Sequence, residues 1–271
     1  MVDALSAVDD WPVDTAAVGV TAAGATLEAR GAVDEVLPFA SVTKPLAAYA
    51  VLIAVQDGAL HLDEPAGPEG ATVRHLLAHA AGLNFEAGPL IGEPGARRGY
   101  SNAGYELLGT LVADRVGIPF ADHLDHEVLA PLGMADTALD GSPAKDGRGT
   151  VTDLLAFCRE LLAPTLLDAD LHREATTVAF PGLDGVLPGH GRQSPNDWGL
   201  GFEIKDGKDP HWTGATMSPA SFGHFGQSGS FVVVDPEAGL GIASLADRPF
   251  GDWSREAWPP LMDTVIGSHG R

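Results

Sequence analysis

Between Phe39 and Gly58 the chain reads FASVTKPLAAYAVLIAVQDG, apolar nearly all round and polar only near its opening, at Ser41, Thr43 and Lys44, and at its close. An all-round apolar stretch of this kind predicts a buried helix. Proline is accepted in a helix only where amides have no intrahelical partner, so Pro45 places the start close to Ser41, and Gly58 supplies the stop. Ahead of this helix, AAVGVTAAGATLEARGAV predicts a hairpin around Gly24. Behind it, a Pro/Gly-rich crossing leads to a short helix capped by Thr72. NAGYELLGTLVADRVG predicts a longer helix with Asn102 as N-cap and Gly117 at its end. PFADHLDHEVLAPLG and TVTDLLAFCRELLAP add two more. From Trp198 the pattern turns to strands, in WGLGFEI, SFGHFGQSGSFVVVD and GLGIASLAD, with a turn at Pro236–Gly239, and a short helix is expected from Asp252.

Strands near both ends around a helical middle predict an α+β fold. Its antiparallel sheet would be built from both chain termini and flanked by helices, with a mostly helical region inserted. We expect residues 1–60 plus 197–271 to form the sheet domain and 61–196 the helical one.

Charge narrows the partners. Lys+Arg number 16 and Asp+Glu 37, a formal net charge of −21, which argues against nucleic acid or an anionic membrane surface. No window has the uninterrupted apolar length of a membrane span. The acidic N-terminus MVDALSAVDDWPVD lacks a basic segment followed by an apolar one, so the expected location is the cytoplasm. The one cysteine, Cys158, excludes an intramolecular disulfide and reads as helix packing. Nothing in the sequence speaks to oligomeric state.

Candidate chemistry begins at the buried helix. Ser41 and Lys44 are three apart and share a face of its first turn. A primary amine there meets the positive end of the helix dipole and a desolvated setting, both of which lower its proton affinity and fit it to deprotonate a neighbouring serine. This is the S-x-x-K arrangement of acyl-transfer enzymes. A second copy, Ser142 to Lys145, sits among Gly141, Pro143, Gly147 and Gly149 and reads as a loop. Tyr100 and Asn102 flank Ser101 in an extended segment, where alternate residues point the same way. Phenol and amide would then project into one cleft. Beside a lysine the phenol's proton affinity should fall, and the amide could hold a substrate carbonyl or the lysine itself. By themselves these residues also allow a capping Asn102 and a core Tyr100.

In SFGHFGQSGS, Gly226 would leave room for a substrate along the strand, and His224 could donate to a substrate oxygen or to Tyr100. The amides of Gln227 and Ser41 could pair as an oxyanion hole. The same glycines and serines would equally ease a tight hairpin. GQSGS lacks the final glycine of G-x-S-x-G and runs between strands, which closes that route. His75 and His79, four apart on one predicted helix, lack the following Glu of a zincin, and DHLDHE at 122–127 reads as a solvated helix face. No metal and no cofactor is expected.

The order S-x-x-K, Y-x-N, H-x-G resembles the serine β-lactamase and penicillin-binding protein superfamily. The branch is that of class C β-lactamases, related carboxylesterases and D-alanyl-D-alanine carboxypeptidases. VRHLLAHAAGL, the run from Tyr100 to Thr137, WGLGFEI and FVVVDPEAGLGIASLADR carry the likeness further. The resemblance implies that Ser41 is the nucleophile, Lys44 its proton partner and Tyr100 a phenolate general base. Asn102 would then position a substrate carbonyl, His224 with Gly226 would form the strand-side wall, and the amides of Ser41 and Gln227 would form the oxyanion hole. His79 belongs to a family motif without a role we can derive. Class C enzymes carry lysine at the position of His224, a charge that seats substrate carboxylates. Its replacement points to a serine hydrolase acting on a small-molecule ester or amide through an acyl-enzyme. The alternatives are a D-amino-acid peptidase or D-Ala-D-Ala carboxypeptidase, a weak β-lactamase, an acyltransferase and a non-catalytic binding protein.

Overall fold

The computed structural model describes residues 3–270 and sets a six-stranded antiparallel sheet between two layers of helix. The hairpin around Gly24 consists of β1 (Ala16–Thr21) and β2 (Thr26–Gly31). After β3 (Leu37–Pro38), a 3₁₀ turn over Ala40–Val42 feeds α1 (Thr43–Gln56), so Ser41 sits just before the helix proper and Pro45 lies in its first turn. The helical middle holds α2 (Val73–Leu77), α3 (Asn102–Val116) and α4 (Phe120–Leu124), the last continuing into a π turn. Two short strands follow, β4 (Ala138–Leu139) and β5 (Gly147–Gly149), then α5 (Val151–Leu162) and α6 (Ala169–Ala175). A small hairpin, β6 (Gly185–Leu187) and β7 (Gly191–Gln193), precedes β8 (Glu203–Ile204), β9 (Phe222–Gly226), β10 (Ser230–Asp235) and β11 (Leu240–Ala246), and α7 (Asp252–His269) ends the chain.

The sheet order is β2-β1-β11-β10-β9-β8, and the register Ala16 opposite Ala246 joins the two ends of the chain. Alternation along β10 separates two cores. Val232 and Val234 pack with α1 and α5, while Phe231 and Val233 face Trp258, Leu261, Met262 and Val265 of α7. Gly19 and Gly241 let α5 lie close on the sheet: a Cβ there would stand 2.5 Å from Leu155 Cδ1 and 2.6 Å from Cys158 Cβ respectively.

Three local expectations change. Ser101, not Asn102, caps α3, its Oγ accepting from the Gly104 amide at 3.2 Å. That shift of one residue leaves the Asn102 side chain free to face inward. The C-terminal helix is not short but runs 18 residues through Pro259 and Pro260, because its tryptophan-rich apolar face buries against the sheet and outweighs the missing amide bonds. WGLGFEI is a strand only at Glu203–Ile204, since Gly201 takes φ +100° and brings the backbone against Ala48. Among the described residues no helix is long and apolar enough to cross a membrane.

Candidate active site

The buried start of α1 and the loop entering α3 meet at Lys44. This side chain is fully buried. Its Nζ donates to Asn102 Oδ1 at 2.6 Å and to the Ala144 carbonyl at 2.8 Å, and lies 4.7 Å from the centre of the Tyr100 ring. Of the two uses the sequence left open for Asn102, the structure takes the second: the amide holds the lysine. Its Nδ2 donates to Glu86 at 2.8 Å, which turns Oδ1 towards the amine. Burial pulls Lys44 down to about 7, with Glu86 pushing back up and Lys145 adding to the fall.

Tyr100 corrects the expectation for its phenol. Burial raises it above its ordinary value, offset only in part by the Ser41 hydroxyl beside it. The resting group is a neutral phenol. Its oxygen lies 3.4 Å from His224 Nε2. His224 Nδ1 is 2.7 Å from the Phe225 carbonyl oxygen, which only an N–H can satisfy, so the proton sits on Nδ1 and Nε2 is an acceptor. His224 therefore accepts from Tyr100, where donation was expected. Burial, assisted by the charge of Lys44, holds it at about 3, hence neutral at ordinary pH.

Gly226 is also reassigned. The space beside it is taken by protein: a Cβ there would collide with the Phe39 carbonyl oxygen and Ser230 Oγ and stand 3.2 Å from the Ser41 amide nitrogen. Ser230 Oγ donates to that Phe39 carbonyl at 2.7 Å. The glycine lets the strand press against the turn that carries Ser41. Behind this wall opens a cavity of about 310 Å³ lined by Ser41, Tyr100, His224 and Gln227 together with Phe85, Leu187, Pro188, Trp198, Glu203 and Phe225. Lys44, Asn102 and Gly226 are not part of its lining. Among the described residues, no lysine or arginine lines the cavity. Its carboxylate, Glu203, is buried and ion-paired with Lys208, with His211 Nε2 and Trp212 Nε1 at 2.9 Å from Oε2.

The second S-x-x-K is a loop, and it matters to the first: the Ala144 carbonyl inside it holds Lys44, and Lys145 lies 3.6 Å from Glu86. His75 and His79 do not share a helix, because α2 ends at Leu77 and His79 takes φ +55°. Within 122–127, His123 is buried, its Nε2 3.0 Å from the Ala50 carbonyl, rather than solvated. Cys158 is buried in the core. The sequence missed Glu86, Ala144, Ser230 and the apolar lining. The Ala144 contact had one legible hint, the repeated S-x-x-K; the others had none, being joined to the site by folding alone.

A family model described as Beta-lactamase matches residues 5–265, and the chain belongs to that family of serine hydrolases. A solved β-lactamase from Mycobacterium bovis is 48% identical, covers 99% of this chain and 100% of its own, and superposes at a TM-score of 0.98. EstCE1, a hydrolase with promiscuous acyltransferase activity, shares the fold at 17% identity and a TM-score of 0.80, covering 97% of this chain and 96% of its own. A Salmonella heidelberg (strain SL476) protein provisionally named D-alanyl-D-alanine carboxypeptidase is 24% identical over 206 residues, which cover 59% of this chain and 48% of that protein. The chain thus spans about half the length of the curated relatives it matches.

Proposed function

We propose that the protein is a serine hydrolase that forms an acyl-enzyme on Ser41 and acts on small esters or amides with an apolar acyl group. The observation that carries this reading is the cavity. Ser41 opens onto walls of Phe85, Leu187, Pro188, Trp198 and Phe225, and a neutral His224 stands where a cation would seat a carboxylate. Lys44 and Tyr100 act as one proton-accepting pair. With a single titrating proton between them, the pair exists as amine plus phenol or as ammonium plus phenolate, and the ammonium, 4.7 Å from the ring centre, stabilises the second form. The pair takes the Ser41 proton as Oγ bonds to the acyl carbon. It returns that proton to the leaving oxygen or nitrogen as the old acyl bond breaks. Water then repeats the sequence and restores Ser41. The amides of Ser41 and Gln227 would receive the charge on the carbonyl oxygen.

A second reading, turnover of β-lactams or D-alanyl peptides, is favoured for the first by the 48% identity with the M. bovis β-lactamase and for the second by the likeness to the Salmonella protein named a carboxypeptidase. The absence of a cation from the cavity lining weighs against substrates that carry a carboxylate. Intact mass of wild type and Ser41→Ala, quenched within seconds of adding p-nitrophenyl butyrate or nitrocefin, separates the two. A transient adduct with the ester, missing in the variant, supports the esterase reading. An adduct with nitrocefin alone moves the second reading to first place, and an adduct that persists in Ser41→Ala sinks both.

A further inference from the structure

His79 sits two residues beyond α2 with a left-handed backbone, φ +55°, uncommon for a residue with a Cβ. Its surroundings give the reason. The backbone amide of Gly99 donates to the His79 carbonyl at 2.8 Å, and the amide of Ser101 donates to His79 Nδ1 at 3.2 Å. One residue earlier, Arg98 Nη1 donates to the Ala78 carbonyl at 2.6 Å. Residues 78–79 thereby tie down 98, 99 and 101 and leave Tyr100 between the ties. The His79 ring then packs on Tyr100, its centroid 4.6 Å away, and meets Trp198 edge to face at 4.8 Å. With Nδ1 accepting, the ring proton lies on Nε2, which is buried and has no hydrogen-bond partner among the described residues.

A residue that merely filled the core would not need a ring nitrogen at this place or a left-handed backbone. We propose that His79 is a positioning residue, holding the Tyr100 phenol in the direction of Ser41 through its carbonyl, its Nδ1 and its ring. This inference rests on the reading of Ser41, Lys44 and Tyr100 as the reacting groups. Its geometric content, the orientation of Tyr100, can be measured without that reading.

Two variants test it. His79→Met keeps an unbranched apolar side chain but deletes the acceptor, while His79→Asn tolerates the left-handed backbone and offers Oδ1 near the place of Nδ1. In protein labelled with 3-fluorotyrosine, with the Tyr100 signal assigned through Tyr100→Phe, His79→Met should shift or broaden the Tyr100 ¹⁹F resonance and His79→Asn should largely preserve it. In p-nitrophenyl butyrate turnover, His79→Met should lose about tenfold to a hundredfold in kcat with little change in KM, because misplacement by about 1 Å is enough for such a loss. His79→Asn should recover most of it. An unchanged Tyr100 resonance and unchanged kcat in folded His79→Met overturn the inference. If His79→Met fails to fold, His79→Gly, which accepts the left-handed backbone but carries neither ring nor acceptor, is read in the same way, and an unchanged Tyr100 resonance with unchanged kcat there overturns the inference. A wild type without an adduct on Ser41, yet with the Tyr100 signal responding as described, leaves the positioning role standing and removes the hydrolase reading.

Discussion

Lys44 Nζ and Asn102 Oδ1, separated by 58 residues of chain, meet at 2.6 Å in a setting closed to water. The amide oxygen faces the amine because Glu86 occupies the other end of the same amide. A lysine held this way keeps acceptors for its hydrogens while losing most of its hydration, so its proton affinity drops without the side chain leaving the interior.

With Lys44 at about 7, kcat/KM for p-nitrophenyl butyrate should fall below a midpoint near 7, by about tenfold per pH unit in the limit, because the doubly protonated Lys44–Tyr100 pair cannot accept a proton. His224, at about 3, stays neutral across the measured range and adds no limb. A pH–rate profile from 5 to 9 checks this, and a flat profile through 7 contradicts it.

Two exposed charges should move that midpoint in opposite directions. Glu86 raises Lys44 and Lys145 lowers it. Glu86→Gln keeps an amide acceptor for Asn102 but removes the negative charge, so the midpoint moves to lower pH. Lys145→Gln removes a positive charge, so it moves to higher pH. Both displacements should shrink at 1 M salt, where screening falls to roughly 3 Å. Shifts of the same sign in both variants would count against this account.

Gly226→Ala tests the contact between β9 and the Ser41 turn. The added methyl meets the Phe39 carbonyl and Ser230 Oγ, backbone and buried side chain that have little room to yield. Stability should fall by about 1–3 kcal/mol, the usual cost of overpacking. Adduct formation with the ester should fall further than stability explains, because the displaced atoms include the Ser41 turn. Urea unfolding beside quenched intact mass separates the two effects.

Glu203 supplies a stability test. Burial alone would raise its carboxyl, but His211 and Lys208 more than reverse this and hold it at about 2. A depressed carboxyl stabilises the fold above its unfolded value near 4.5, and that stabilisation is lost as pH falls from there through 2. Acid unfolding should therefore steepen between pH 4.5 and 2. Lys208→Met, which leaves a buried carboxylate short of its ion-pair partner, should cost about 3–5 kcal/mol in urea at pH 7.

Legibility varied with the range of the forces involved. Ser41 and Lys44 were readable because a proline, an apolar run and a terminal glycine confine them to one helix start, and spacing along a helix implies a shared face. Tyr100 and Asn102 were readable as a pair, but the helix cap was placed on Asn102 where Ser101 makes it, since local propensity does not decide between neighbouring polar residues. The phenol's direction of shift was misread because a nearby lysine was weighed without the depth of burial. At His224 the residue was found but its donor and acceptor ends were not. That polarity comes from the Phe225 carbonyl, whose orientation belongs to the strand.

The sequence by itself determined the α+β pattern, the buried first helix, the strands near both ends and the order of the chemistry-bearing residues. These follow from periodicity, turn residues and short spacings, which act over a few residues. Only the tertiary structure decided that Ala144 and Asn102 would hold Lys44, that Glu86 would orient the amide, and that His79 would brace Tyr100. Such contacts join segments tens of residues apart, where packing of whole elements sets distance and solvent exclusion, and solvent exclusion sets the proton affinities on which the proposed chemistry depends.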